Sequence, residues 1–431
     1  MTLTSGSRPT RAWDHAQAMG AADTVATLAG FEGRGAGTDT ERRAAAWLVR
    51  ELQTGRRDAT VETFWSRPDW ALAHAWHTAL ALAGSLVSVA SPKLGGALIL
   101  VAVLSLALDA LTGASLGRRL TFERASQNVI SPPPGAGRPV RLVVTANYDA
   151  GRMGLVYRPV LRVLAGRLRA AFGAAALGWE AWLAISFVWL LATAIARNGG
   201  ASGQGLAVAQ LIPTAVLVLG LALLLDLASS QFGPSAGDNA SGVAVTLALT
   251  RALDFSPPRN LEVEVVLQGA SDGAMTGLAR YLRARRRERG AANTIVLGIG
   301  ACGAGDPCWW GSDGTMLPLR FGTRLAGVVA AAAGPQTGLP ARAHRGRGIS
   351  PAFPARRARL PAITVGSLDE RGLIPRSHLP ADLPGALQDG AIDRMLELVL
   401  TVVDAIDAGL EPAPSAPSAS SGTAASSPTA A

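Results

Sequence analysis

Cysteine, lysine and charged residues in general are scarce in this chain. Of its 431 residues only 2 are cysteines and 16% are charged, and Lys93 is the single lysine. Two thiols, Cys302 and Cys308, are too few for a disulfide framework and favour a reducing compartment. Residues 1–30 lack a continuous apolar segment with a small-residue cleavage site, so they do not resemble a secretory signal.

Apolar residues and arginine are abundant instead. The hydrophobic share of 49% and the mean hydropathy of +0.26 are unusual for a soluble globule, so part of this mass is expected to lie in lipid. The net charge of +9 comes from arginines dispersed along the chain. Nucleic-acid sites need basic residues gathered on one face, so we expect no nucleic-acid partner. The one dense run, at 283–289, is interpreted as the solvated end of a helix, with anionic lipid or nucleic acid as the alternative contact.

Four apolar segments are long enough to cross a bilayer, which takes roughly 20 helical residues. They form two pairs with short links, 70–91 with 94–111 and 177–196 with 206–227. We therefore predict two spanning hairpins, inserted at 70–115 and 177–228. The alternative is a pair of buried helices in a large soluble domain. His74 and His77 weaken the first hairpin, because polar groups are tolerated near the interface but are costly at mid-depth.

The charges beside these segments predict their orientation. An even number of crossings leaves the rest of the chain on one side of the membrane. Lys93 and Arg197 lie in the far turns, whereas more arginines flank the segments on the domain side: Arg118, Arg119, Arg124, Arg162, Arg167 and Arg169. The positive-inside rule then predicts a multi-pass protein of the cell membrane, with the bilayer as a partner and the soluble domain in the cytoplasm.

Outside the hairpins, strand-like and helix-like stretches alternate. Strands are predicted at 59–65, 140–145, 261–267, 294–299 and 362–365, and helices at 38–52, 242–253, 275–289 and 391–408. This alternation predicts an α/β fold with a mainly parallel sheet sandwiched by helices. The tail at 411–431 is mostly Pro, Ser, Ala and Thr, cannot bury a core, and is predicted to be disordered.

Three polar stretches lie at the ends of these predicted elements, where open α/β sheets usually build their sites. They are Asn-Tyr-Asp at 147–149, Gly-Asp-Asn-Ala-Ser-Gly at 237–242, and His-Leu-Pro-Ala-Asp at 378–382. Each has a structural alternative. Asp and Ser often cap turns and helices, and a single histidine is more often a hydrogen-bonded surface or core residue than a ligand.

Taken in order, these stretches resemble the zinc aminopeptidases of the clan MH exopeptidases, the group that includes aminopeptidase Y and glutaminyl cyclase. Residues 33–38 resemble the opening of the family, 127–130 its second strand, 235–242 its bridging-aspartate motif and 360–387 its closing segment. The resemblance implies a peptidase-like domain in three parts, at 1–69, 116–176 and 229–410, with the membrane hairpins as insertions.

At the positions of the family's metal ligands, this sequence departs strongly from the family's pattern. Two zinc ions are expected, bridged by an aspartate and completed by histidines and carboxylates. The resemblance places Asp238 at the bridging aspartate and His378 at the last histidine, as remnant ligands. Asn147 stands at the first histidine, so Asp149, which should orient that histidine, has lost its purpose.

The catalytic carboxylates depart as well. The general-base position holds Ala270 and the neighbouring ligand position holds Ser271, while Gly298 stands near the remaining carboxylate ligand. A shift of one residue offers Asp272 as a single carboxylate. Neither alanine nor serine acts as a base at neutral pH, so the resemblance implies a dismantled di-zinc site on a persisting fold.

The leading hypothesis is therefore a membrane-anchored, catalytically inactive peptidase-like protein without a cofactor. It would bind a peptide or protein partner in a cleft lined by Asn147, Asp149, Asn239 and Ser271. The enzyme alternative is a zinc metallopeptidase with a rearranged site. Its candidate ligands are Asp238, His378 and Asp272, and further recruits in regions of uncertain alignment are His344, Asp306, Asp313, Cys302 and Cys308. A transporter ranks last, because transport paths usually need polar groups at the membrane centre.

Overall fold

A computed structural model describes residues 14–135, 137–173, 176–286 and 293–410 of the chain. Its α-helices are α1 Asp14–Gly30, α2 Asp39–Thr54, α3 Trp70–Ala90, α4 Pro92–Thr112, α5 Leu116–Arg119, α6 Pro159–Phe172, α7 Trp179–Asn198, α8 Gln204–Ser229, α9 Ser241–Phe255, α10 Thr276–Ala284, α11 Thr323–Ala332, α12 Phe353–Arg357 and α13 Ala391–Ala408. Its strands are β1 Thr60–Ser66, β2 Arg124–Ser131, β3 Val140–Asn147, β4 Leu261–Gln268, β5 Thr294–Ile299, β6 Asp306–Asp313, β7 Leu319–Arg320, β8 Arg342–Arg345 and β9 Ala362–Leu368. The predicted disordered tail and the end of the arginine run lie outside the described residues.

One sheet joins all of these strands, in the order β1-β2-β4-β3-β5-β9-β6-β7, with β8 beside β6. The four central strands, β4, β3, β5 and β9, run parallel, which confirms the predicted mainly parallel sheet. The edges are antiparallel, since β1 pairs with β2, β2 with β4, and β6 with β9. The sequence patterns did not predict the antiparallel pairing at these edges, and they did not predict the strands β6 to β8.

Helices flank the sheet in two groups. Helices α1 and α13 pack on α9, which lies on β3, β4 and β5, and α11 packs on α13. On the other side, α10 and α12 contact each other, and α10 reaches β4 while α12 reaches β9. All eight residues of β4 are buried, although its alternation of Leu, Val and Glu predicted one polar face. The two glutamates of β4 are satisfied by Arg141, whose guanidinium lies 3.7 Å from Glu262 and 3.3 Å from Glu264.

The four apolar helices α3, α4, α7 and α8 form a bundle, and each is long and apolar enough to cross a membrane. α3 packs on α4 and α8, and α7 packs on α4 and α8. A dry layer built from Leu82, Ile99, Phe187, Leu190 and Leu217 fills the middle of the bundle. The predicted link between the first two spans is shorter than expected, because Pro92 opens α4 at a position where its missing N–H costs nothing.

Some helix ends also differ from the sequence pattern. The helix predicted at 275–289 begins at Thr276, because Met275 has a left-handed backbone (φ 49°), and it ends at Ala284. Helices α1 and α6 were not predicted. The last helix, α13, spans the predicted residues 391–408.

Candidate functional site

The predicted site residues gather at the carboxyl edge of the parallel strands. Asn147 ends β3 and is followed by Asp149, and the segment 269–273 follows β4. A single π-helical turn, Ala236–Ala240, carries Asp238 and leads into α9. Strand ends of parallel sheets meet at one edge, so this is the place where ligands bind in open α/β sheets.

Asp238 and His378 are brought together, as the resemblance implied. The His378 Nε2 lies 3.9 Å from the Asp238 Oδ2, and the same carboxylate oxygen accepts a hydrogen bond of 2.7 Å from the Ser377 hydroxyl. A second carboxylate, that of Asp382, binds this turn from the segment after His378, because it accepts from the backbone N–H groups of Gly237 (2.8 Å) and Asp238 (3.1 Å). Burial, together with the charge of Asp238, raises the pKa of Asp382 to about 6.

His378 is held firmly in this position. Its Nδ1 lies 2.8 Å from the carbonyl oxygen of Arg152, to which a protonated Nδ1 donates, so the Nε2 lone pair faces Asp238. The Tyr157 ring stacks on the imidazole at 4.1 Å with an angle of 8° between the planes. A histidine that donates one N–H to a backbone carbonyl has the orientation of a metal ligand. Tyr157 nevertheless covers one face of the ring.

Asp149 has a different partner from the one that the family pattern implies. Its carboxylate accepts from the Ser271 hydroxyl at 2.5 Å and from the Ser271 N–H at 2.9 Å. Burial raises the pKa of Asp149 to about 6, against these hydrogen bonds. In place of a histidine, Asp149 therefore holds the segment that follows β4. Asn239 also donates to the carbonyl oxygen of Asp149, at 2.6 Å.

The replaced positions line the same edge. Asn147 is 9% exposed, and its Oδ1 has no hydrogen-bond partner. Ala270 at the general-base position has a left-handed backbone (φ 46°). Asp272 accepts from the Trp70 indole and from the Arg152 N–H at 3.5 Å, and burial raises its pKa. Asp272 therefore contacts the first residue of the helical bundle.

Glu41 and Arg34 belong to this site and were not singled out from the sequence. The Glu41 carboxylate accepts from the N–H groups of Gly37 (2.6 Å) and Ala270 (3.2 Å), and burial, then the charge of Asp149, raises its pKa to about 8. The available signal was the capping box from Thr38 to Glu41 at the start of α2. Arg34 is fully buried and donates to the carbonyl oxygens of four residues: Leu28, Tyr148, Pro234 and Ser235.

These donors do not fit a zinc site. A closed site needs four ligands and a catalytic site needs three plus a water. Within the described residues no three His, Cys, Asp or Glu side chains come together as a metal-binding group. The other candidates are engaged elsewhere. Asp313 accepts from the Ser350 N–H at 2.6 Å, His344 packs edge-on against Trp310, and both cysteines are buried free thiols.

A second polar centre lies in the bundle, at the end nearest the α/β domain. His74 and His77 of α3 point into the bundle, where the His74 Nε2 lies 3.4 Å from Asp109 of α4 and 3.9 Å from Glu180 of α7. Arg118 donates to Asp109 at 2.7 Å, and the Thr315 hydroxyl donates to Glu180 at 2.5 Å. From the sequence, the two histidines were noted only because they weaken the prediction that the first apolar segment crosses the membrane.

One arrangement of protons satisfies both histidines as neutral rings. The Ser105 hydroxyl, which accepts from the Leu116 N–H, donates to the His77 Nε2 at 2.9 Å. The His77 Nδ1 then donates to the His74 Nδ1 at 3.4 Å, and the His74 Nε2 carries its proton toward Asp109, whose Oδ2 lies 3.4 Å away. Trp70 lies between the two centres, because its indole reaches Asp272 and its ring lies 6.4 Å from His74.

The comparisons with known proteins agree with this architecture. BSAP, a zinc aminopeptidase from Bacillus subtilis, is 14% identical with a TM-score of 0.52, over 90% of this chain and 94% of that one. The LapA aminopeptidase of Legionella pneumophila is 12% identical (TM-score 0.50, 94% and 76% coverage), and a glutaminyl cyclase of Bacteroides thetaiotaomicron is 14% identical (0.50, 90% and 97%). No protein-family model and no curated protein matches the sequence. The chain thus has the α/β fold of the zinc aminopeptidases, which its sequence motifs predicted.

Proposed function

We propose that this chain is a membrane-anchored, zinc-aminopeptidase-like protein that has lost peptide hydrolysis and serves as a binding or scaffold domain. The observation that carries the proposal is the set of contacts made by the two remnant ligands. Asp238 is hydrogen-bonded to Ser377, and His378 is covered by Tyr157. With Asn147, Ala270 and Ser271 at the other positions that the resemblance implies, the described residues bring no three His, Cys, Asp or Glu side chains together as a metal-binding group.

The remaining cleft would bind a peptide or protein partner. Three of its carboxylates, Asp149, Asp238 and Asp382, lie near enough to the buried guanidinium of Arg34 to raise its pKa against the effect of burial. The pKa of Arg34 falls to about 10 through burial, so the group still carries its charge at neutral pH. This charge supports the acidic edge, and the contacts of Asp149 and Asp382 hold the loops around it in place.

The four apolar helices would cross the membrane as two hairpins, with the α/β domain in the cytoplasm. Their length and composition support crossing. The network of His74, Asp109, Arg118 and Glu180 lies at the domain end of the bundle, where polar groups cost less than at mid-depth. A second cluster lies at the far end, where Gln210 donates to Ser85 and Ser88, and the dry layer separates the two clusters. This separation favours an anchor over a transport path.

The test is the zinc content and the aminopeptidase activity of the detergent-purified chain. Wild type is compared with Asp238→Ala and His378→Ala, and with Glu397→Ala at an exposed position of α13 as the matched control. We expect substoichiometric zinc and no turnover of aminoacyl substrates in any of the four proteins. About one zinc per chain in wild type and control, lost together with turnover in both site variants, would establish the rearranged metallopeptidase instead.

A further inference from the structure

The two faces of α6 are reversed relative to those of an ordinary surface helix. The face toward the α/β domain carries arginines. Arg162 donates to the carbonyl oxygens of Ile374 and of Ser377 (3.2 Å), and Arg169 donates to that of Gly372 at 2.6 Å. Surface helices normally turn their apolar stripe toward the core and their charges toward water.

The opposite face of α6 is apolar and unpartnered. Val160, Leu164, Leu168 and Phe172 follow one another at intervals of four residues and are 79%, 51%, 48% and 53% exposed. Residues four apart lie on one side of a helix, so these side chains form a single stripe that points away from the domain. A contiguous exposed stripe of large apolar side chains marks a contact surface.

Both ends of α6 lie at the domain-side ends of the apolar bundle. Just before the helix, the Leu155 N–H donates to Asp226 at 2.7 Å, one turn from the end of α8 at Ser229. After the helix, residues 173–178 lead into Trp179, the first residue of α7. Its 14 residues measure about 21 Å, too short to cross a hydrocarbon core of about 30 Å.

We propose that α6 lies flat in the interfacial region of the same bilayer that the four apolar helices cross. Its stripe of Val160, Leu164, Leu168 and Phe172 would enter the boundary between headgroups and acyl chains. Exposed arginines at Arg158 and Arg167 flank the stripe and reach the headgroup phosphates. This inference rests on the membrane insertion proposed above, because the depth of α6 relative to the bilayer is fixed by its connections to the ends of α7 and α8.

Other exposed apolar side chains at the ends of the spans support that occupant. Leu116, Leu120 and Phe122 follow α4 and are exposed, as is Leu317, two residues after the partner of Glu180. The helix also determines where the cleft lies. Arg162 and Arg169 grip the segment that leads to His378, and Tyr157, two residues before α6, stacks on that histidine. If α6 lies in the interface, Tyr157, which covers His378, is held close to the membrane surface.

Depth-dependent quenching tests this placement. The two buried cysteines are replaced by alanine, and single cysteines at Leu164 and Leu168 are labelled with a small fluorophore in lipid nanodiscs. Leu219→Cys, on the exposed side of α8 about 15 Å from its domain end, reports the membrane centre. Glu397→Cys on α13 reports water. The quencher is a nitroxide on the acyl chain, placed either near the headgroup or near the chain end.

We expect the labels at 164 and 168 to be quenched severalfold more by the shallow nitroxide than the label at 397, and the label at 219 to prefer the deep one. If 164 and 168 behave like 397 while 219 is quenched, the helices cross the membrane but α6 does not lie on it, and the proposal fails. The same pattern in a dimeric protein would assign the stripe to a second copy. If 219 is also unquenched, membrane insertion itself is wrong.

Discussion

The site at the strand ends and the polar network in the bundle differ in how completely their buried polar groups are paired. At the strand ends, Asn147 is buried and its Oδ1 has no hydrogen-bond partner within the described residues. In the bundle, His74, His77, Asp109 and Glu180 each have a polar partner within 4 Å.

The difference follows from the cost of desolvation. If the bundle lies in a bilayer, as proposed, an unpaired polar group there would cost several kcal/mol, more than at a sheet edge within reach of water. The bundle is therefore the part of the molecule in which side-chain pairing is constrained most tightly.

The largest expected effect breaks the bundle network. Asp109→Ala leaves Arg118 buried without its carboxylate, and the loss of one partner of a buried ion pair costs about 3–5 kcal/mol. Chemical unfolding in detergent measures it. Asp238→Ala in the cleft removes one hydrogen bond from Ser377 and is expected to cost only about 1 kcal/mol. Equal losses in the two variants would remove the contrast between the regions.

The pH dependence of stability tests the cleft. The pKa of Glu41 is about 8, above its ordinary 4.5, so the folded chain keeps a proton that the unfolded chain releases between these values. The free energy of unfolding therefore falls as pH rises through this window, by on the order of 4 kcal/mol.

Glu41→Gln should flatten that slope, while Glu397→Gln, at an exposed position, should leave it unchanged. Unfolding midpoints measured from pH 5 to pH 8 give the result. A residual slope is expected from Asp149 and Asp382, whose pKa values are about 6. An unchanged slope in Glu41→Gln would show that its carboxyl group is not the source.

A smaller effect separates two neighbouring glycines of α4. A Cβ added at Gly95 would lie 2.4 Å from the backbone of Ser88 in α3, so the helices must move apart, at about 1–3 kcal/mol. A Cβ at Gly96 meets only the Ala194 Cβ, at an ordinary 3.7 Å. Gly95→Ala should lower the unfolding midpoint and Gly96→Ala should not. If both are tolerated, α3 and α4 are farther apart than described.

The smallest expected effect concerns the cover of the cleft. Tyr157→Leu removes the ring stacked on His378 and should cost about 0.5–1.5 kcal/mol. It should also expose the imidazole, so that His378 reacts faster with diethyl pyrocarbonate, as followed by mass spectrometry. His344, edge-on against Trp310, serves as the internal reference and should keep its rate. Equal rates at His378 in both proteins would contradict the covering role of Tyr157.

Local patterns predicted much of this structure. The apolar periodicity of α13 and the four long apolar segments depend on neighbours within a few turns, so a window of sequence was enough to find them. The edge strands β6 to β8 were missed because their pairing is decided by β9, which lies far along the chain.

The sequence by itself determined which side chains are available. It predicted the four long apolar helices and the alternation of strands and helices, and it placed Asn147, Ala270 and Ser271 at the strand ends. Only the tertiary structure decided which groups pair: Asp149 with Ser271, 122 residues away, and His74 with carboxylates from two other helices. The reason is physical, since a residue's identity is local, whereas its partner depends on the folded path of the whole chain.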